Sequence, residues 1–548
     1  MLPRVLVSGG FHSDELTPLE EQYAPDLIRL PAKIQRQMRV EFWNRLGDAS
    51  EAERETAGDW VATRTDELMT ADLSTAFDLE EIETRARNCA RVCEYIKDIE
   101  DAEVFCRARG IDPPKDGPNT TRRGRLMRCR SHRWWRAQLD KHRGRRAENA
   151  MRRIGMVCRA RELYASDLTV SQRRYKTGIT DRWVKERICV SDSGEQVELW
   201  DVRQKSQANP TLRRNELMVC LRGFSEVAET AGHVADFYTL TTPSRFHPML
   251  ATGGHNPEYT GGAVRDAQAW LRGMWAKARA KLKRLKVLIY GFRIAEPHHD
   301  GTPHWHMVLF TLPGHREIVR TVLRGYWLSD GGSDRGAQDH RITVTHIDGS
   351  KGSAAGYLAK YVAKNIDGFE VGDDYESVDG SGSNESGGKD AKGTCDRVTA
   401  WATRHGIRQF QQIGGPAVTV WRELRRIRSD CGIQLIEAAR VHADAGEWAA
   451  FISALGGIEA GRAGSVGLWT RITGEINQYD ELRGPQIAGV QSGVLQVETR
   501  IKVWRIQKRP ALTLSALGPV SITVRDGGGF GAPLRWTNPN ESSMYGPH

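Results

Sequence analysis

The stretch that most restricts how this chain can fold is YGFRIAEPHHDGTPHWHMVLF, residues 290–310. Val287 to Ala295 and His304 to Leu312 read as strands, and Asp300-Gly301 between them is a hairpin turn signal. Side chains alternate along a strand, so His304 and His306 project from one face. With the turn centred on Asp300, Glu296 and His304 stand equally far from it and face each other. Two imidazoles and a carboxylate then converge, an open donor set for a divalent cation. Mg²⁺ or Mn²⁺ suits phosphodiester chemistry, and imidazole donors also suit Zn²⁺ or Fe²⁺. A His-x-His pair by itself also occurs on ordinary half-exposed strands; the opposed Glu296 and the turn strengthen the metal reading.

The second chemical motif is GYLAKYVAKN, residues 356–365. Tyr357 and Tyr361, four apart, share a helix face with Cβ atoms roughly 6 Å apart, and Lys360 and Lys364 repeat that spacing one step round. A phenol is a poor nucleophile at neutral pH unless a base, a cation or metal-bound water assists it. The two lysines would lower that barrier and stabilise charge on phosphate oxygens. Taken alone, the spacing equally describes an amphipathic helix with tyrosines packed inward and lysines outward.

Around these motifs, DFYTLTT (236–242) alternates like a strand, Thr260 to Leu285 has helical spacing, and Tyr357 to Asn365 is a short helix. The expected fold is α+β: a central antiparallel sheet with flanking helices, preceded by a largely helical N-terminal region. Four regions follow: a helical 1–120 without catalytic pattern, where Leu73, Phe77, Leu79 and Ile82 keep helical spacing; a basic, mostly helical 121–215; the sheet domain, 216–435, with a mobile Gly/Ser/Asp-rich loop at 367–396; and 436–548 with a flexible tail after about 525.

The formal charge of +10 and pI near 9.1 point to a polyanionic partner. The charge is most concentrated between Thr121 and Arg161, where fifteen Lys/Arg stand against two acids with Trp134 and Trp135 among them. Such a stretch can follow phosphates and stack on bases, or equally form a solvated helix face with tryptophan in the core. No run of about 18 apolar residues and no signal-type core suggests a membrane or an export signal, so the cytoplasm is the expected compartment. Nine scattered cysteines read as reduced, mostly buried thiols. No GxxxxGK[ST] loop is present, which excludes ATP hydrolysis by that route.

GHVADFYTLTTPSRFHP (232–248), the 290–310 segment, YLAKYVAKN (357–365) and WATRHGIRQFQQIGGPAVTVWRELRR (401–426), in this order, resemble the HUH endonuclease superfamily, and within it the phage replication gene A protein family of rolling-circle initiators. The similarity runs from about residue 125 to 435. The resemblance implies that Glu296, His304 and His306 hold the metal, that Tyr357 and Tyr361 are the nucleophiles, and that Lys360 and Lys364 belong to the tyrosine motif. It implies a metal-dependent transesterification that leaves a 5′-phosphotyrosine and a free 3′-hydroxyl and can later rejoin the strand. The implied partners are single-stranded or locally melted origin DNA, a host helicase and the replication machinery, and no membrane. The rival readings are a plasmid relaxase or single-strand transposase of the same superfamily, a non-catalytic origin-binding protein, and a small-molecule metalloenzyme that leaves the tyrosines unexplained.

Overall fold

The computed structural model describes residues 16–30, 32–46, 50–70, 79–348, 354–366 and 391–510. Its central feature is a five-stranded sheet built from β1 (Val234–Leu240), β2 (Tyr290–Pro297), β3 (Pro303–Thr311), β4 (Ile342–Ile347) and β5 (Phe410–Ile413), in the order β4-β1-β3-β2-β5. Every neighbouring pair is antiparallel. β1 begins and ends two residues before DFYTLTT, leaving Thr241 and Thr242 beyond the strand, and β2 starts at Tyr290 rather than Val287 and runs on to Pro297. The architecture is the expected α+β one.

Alternation divides the sheet into two buried faces. Phe237, Tyr290, Phe292, Ile294, Val308 and Phe310 point one way, into a core with helices α2 (Pro210–Ala231) and α5 (Ala354–Ile366). Tyr238, Leu240, Trp305, Met307 and Leu309 point the other way, onto α3 (Val264–Arg284) and α4 (Arg316–Trp327). Because both faces are covered, β2 and β3 are buried along their whole length, histidines included.

The basic segment forms α1 (His132–Arg153), started by Ser131, whose side chain accepts from the Trp134 backbone. Trp135 is fully buried, donates from Nε1 to the Cys129 carbonyl at 2.6 Å, and packs edge-on against Phe105. It is a core residue, unavailable for stacking on a base, and Trp134 packs partly buried against the same cluster. Farther along α1, Ala147, Ala150 and Met151 pack on the N-terminal helices Ala32–Leu46 and Glu51–Thr70.

Neither expected boundary that flanks the sheet domain coincides with a break in packing. Helices α7 (Gln434–Ala445) and α8 (Trp448–Ala454) place Ile436, Trp448 and Phe451 in the same core as the sheet, across the division drawn at 435. Helix α2 runs unbroken through the division at 215, and strand Arg187–Ser191 pairs antiparallel with Trp504–Lys508 from beyond the sheet domain. The loop expected at 367–396 lies outside the described residues over 367–390, and 391–396 are helical, the start of α6 (Ala391–His405). Leu73, Phe77 and the tail after 525 also lie outside the described residues. All nine cysteines are free, and most are buried. No helix among the described residues is long and apolar enough to cross a membrane.

Candidate active site on the covered sheet face

The hairpin register is the one the turn implied: Glu296 sits opposite His304. On the other side of β3, His306 pairs with Thr239 of β1. Glu296, His304 and His306 are buried, and each offers a ligand atom within 4.8 Å of the others. The two Nε2 atoms are 2.9 Å apart, and Glu296 Oε2 is 3.9 Å from His306 Nε2. Bonds of about 2.0–2.2 Å to one cation place adjacent donors roughly 3 Å apart, so the imidazole pair already fits and the carboxylate needs a shift of about 1 Å. Two imidazoles that point Nε2 at each other need a shared proton or a cation between their lone pairs. The residues present therefore fit a divalent ion.

Neighbours hold these groups in place. Thr239 Oγ1 lies 3.1 Å from His306 Nδ1, which leaves Nε2 turned toward the other donors. Asn365 Nδ2 donates to Glu296 Oε1 and, at 2.6 Å, to the Tyr361 carbonyl, while its Oδ1 accepts from Gln409 Nε2 at 3.2 Å. At the hairpin tip, Arg152 of α1 donates to the Asp300 carbonyl and to Thr302 Oγ1, both at 2.8 Å, and Trp401 Nε1 of α6 donates to the Gly301 carbonyl at 2.8 Å. Asp300 is fully buried, which works against its charge; His247 Nδ1 at 3.1 Å from its Oδ2, with Arg152 and His299, nonetheless holds its carboxyl well below the usual range.

Helix α5 crosses the same face, pinned by buried Leu358 and Val362. The Tyr361 ring lies 4.3 Å from the His306 ring and stacks on Phe237 at 5.4 Å. Phe237 in turn stacks on His306 at 5.5 Å and touches Tyr357 at 6.3 Å. Tyr361 is therefore in direct ring contact with His306, and Tyr357, one turn away, packs on Phe237, which stacks on that histidine. The side chains of Lys360 and Lys364 lie outside the described residues. Sequence reasoning missed Thr239, Phe237, Asn365, Gln409 and Arg152. Only Asn365 carried a local signal, because it extends the Tyr357–Tyr361 stripe by another four residues.

The family model described as bacteriophage replication gene A protein matches residues 62–369, more than half of the chain and all of the hairpin and tyrosine helix. The chain belongs to the phage replication gene A protein family. Within it, the replication gene A protein of Escherichia phage 186 is 39% identical over 403 residues, which cover 71% of this chain and 57% of that protein. The probable replication protein P12 of Pseudoalteromonas phage PM2 is 37% identical over 391 residues, 70% of this chain and 59% of the relative. A probable replication endonuclease from a prophage-like region of Shigella boydii is 32% identical over 350 residues, 61% of this chain and 42% of the relative. This gene A family member thus spans about half the length of the curated relatives it matches. No solved structure gives a significant match.

Proposed function

We propose that this chain is a site- and strand-specific DNA endonuclease of HUH type that starts rolling-circle replication of a phage or prophage by tyrosine transesterification. The observation that carries the reading is the convergence of Glu296, His304 and His306 on the sheet face that Tyr361 and Tyr357 also occupy. A relative whose name is replication endonuclease supports it. A divalent ion, Mg²⁺ or Mn²⁺, held by Glu296, His304 and His306 would supply Lewis-acid neutralisation of charge at the scissile phosphate.

The protein's own part is positioning. The Oη of one tyrosine attacks phosphorus in line, its proton is lost, and the P–O3′ bond breaks, so the 3′-oxygen leaves as a hydroxyl and the 5′-phosphate stays on the tyrosine. One phosphodiester replaces another, so a later 3′-hydroxyl reverses the step without ATP. One of the two tyrosines would make the first cut, and the other, on the same stripe, a second while the first still holds its end; the ring contacts of Tyr361 with His306 and of Tyr357 with Phe237 support this reading. Lys360 and Lys364 would stabilise phosphate charge from the same helix. The substrate is single-stranded or locally melted origin DNA, with a host helicase and the replication machinery as partners.

The test is incubation of purified protein with labelled single-stranded origin DNA and Mn²⁺ or Mg²⁺, resolved on denaturing gels. Wild type gives a metal-dependent covalent protein–DNA band; it disappears in the Tyr357→Phe/Tyr361→Phe double variant and in His304→Ala. DNA binding without nick or adduct under any metal would leave an origin-binding protein and end this reading.

A further inference from the structure

Many arginines of the basic segment are neutralised within the chain. Arg122 pairs with Glu100 at 2.7 Å, Arg123 with Asp480 at 2.9 Å, Arg128 with Glu481 at 2.7 Å, Arg153 with Glu67 at 3.0 Å, and Arg125 with Glu103. The middle of α1 departs from this pattern. Lys141 and Arg145 there, Arg265 at the start of α3 and Arg404 at the end of α6 make no ion pair with a carboxylate among the described residues. The nearby acids are engaged elsewhere and offset the charge only in part: Asp140 pairs with Lys176 at 2.5 Å, Glu148 accepts from the Ser166 backbone, Asp266 accepts from the Ala263 backbone, and Asp112 acts on Arg145 without an ion pair, while Arg404 Nη2 donates to Gln172 Oε1.

These four cations are gathered deliberately close. Arg145 Nε donates to the Arg404 carbonyl at 3.2 Å, and the Arg404 guanidinium lies so near α1 that a Cβ on Gly144 would sit 1.7 Å from it. Glycine weakens a helix interior, so its place in mid-α1 is explained by the space Arg404 needs. Burial, then Arg265 and Arg404, push Arg145 down to about 10, and burial with Arg145 and Arg265 lowers Lys141. His405 beside them is fully buried, and neither of its ring nitrogens has a hydrogen-bond partner. Like charges partly removed from water are costly unless an anion joins them. Arg265 is exposed and Lys141 and Arg145 are half-buried, so the cluster is open to solvent on one side.

We propose that Lys141, Arg145, Arg265 and Arg404 form a seat for a backbone phosphate of the bound DNA strand. The inference rests on the reading of the chain as a DNA-handling protein. Two of the three helices that carry the seat also grip the hairpin tip: α1 through Arg152 on Asp300 and Thr302, and α6 through Trp401 on Gly301. A phosphate bound there fixes the strand relative to the hairpin that bears His304 and His306.

The experiment is fluorescence anisotropy of a labelled single-stranded oligonucleotide titrated at several NaCl concentrations, with EDTA present so that no cleavage intrudes. Each phosphate neutralised by the protein contributes about 0.7 to the slope of log K against log salt for single strands. Lys141→Gln and Arg265→Gln, both at accessible positions, are each expected to lower the slope measurably, and the double variant to lower it by about 0.7, the share of the one phosphate the seat holds. Arg123→Gln, whose arginine is already paired with Asp480, keeps the wild-type slope. Wild-type slopes in both seat variants would overturn the proposal. So would a thermal upshift by inorganic phosphate that is lost in the double variant while oligonucleotide slopes stay unchanged, since that marks a site for free phosphate. Nicking is assayed separately on the same proteins, so failure of the wild type to nick removes the endonuclease reading without touching the slope result.

Discussion

Replacing Asn365 with alanine removes a side chain that holds the candidate metal donor Glu296 and the backbone of Tyr361 at once. Asn365 is fully buried and Glu296 nearly so, so water does not take over the lost bond. A hydrogen bond to a charged group contributes about 1.5–3 kcal/mol, which corresponds to a loss of roughly 10- to 150-fold in the affinity of the ligand that group binds. That matches the 10- to 100-fold typical of removing a residue that orients a metal ligand. Calorimetric titration of Mn²⁺ into wild type and Asn365→Ala, with nicking followed against Mn²⁺ concentration, measures it. Gln409→Ala breaks only the outer link to Asn365 Oδ1 and is expected to cost about tenfold or less. A folded Asn365→Ala protein whose Mn²⁺ affinity lies within twofold of wild type would refute the role given to this side chain. Nicking restored fully at saturating Mn²⁺ would show that the bond to Tyr361 does not matter for placing the nucleophile.

Three further outcomes follow from the packing. Phe237→Ala removes the ring stacked on both His306 and Tyr361 and is expected to cost about 3–5 kcal/mol in denaturant unfolding, with Phe237→Leu losing much less. Gly291→Ala sets a Cβ 1.9 Å from the Val308 carbonyl at φ +146°, so little soluble folded protein should be recovered on expression. His405 is held well below its usual pKa by burial first and then by Arg152, Arg404, Arg145 and Arg265, so the unfolded chain binds a proton that the folded chain refuses. Stability is therefore full above about pH 6.5 and falls below it by up to about 1.4 kcal/mol per pH unit. Thermal midpoints of wild type and His405→Leu between pH 7.5 and 5.5 should diverge in slope, and parallel curves would discard the assignment.

What was legible in the sequence was what local periodicity controls. The Asp300-Gly301 turn set the register that brings Glu296 opposite His304, and four-residue spacing put both tyrosines on one stripe of α5. The residues that brace the site come from elsewhere in the chain: Thr239 from β1, Gln409 from the approach to β5 and Arg152 from α1. Their roles depend on which strands become neighbours and which helix crosses them, and no short-range pattern records that. The same holds for the basic segment. Its composition shows how many cations it has but not that Glu100, Glu103, Asp480 and Glu481 neutralise several of them from a distance. Boundaries placed at 215 and 435 followed shifts in composition, whereas the packing of Trp448 and Phe451 follows shape.

The pairing of Arg187–Ser191 with Trp504–Lys508 bears on how the chain is made. Asp192 and its partner Val503 are 311 positions apart. At about 5–20 residues per second, the ribosome needs roughly 15–60 s after finishing the first strand to deliver the second. Gln196–Glu198 can cover one side of Arg187–Ser191 at once, but the other side waits with open backbone donors and acceptors. For that interval the nascent chain exposes an edge on which two growing copies on one messenger could join, so slower translation between these strands should favour aggregation over yield.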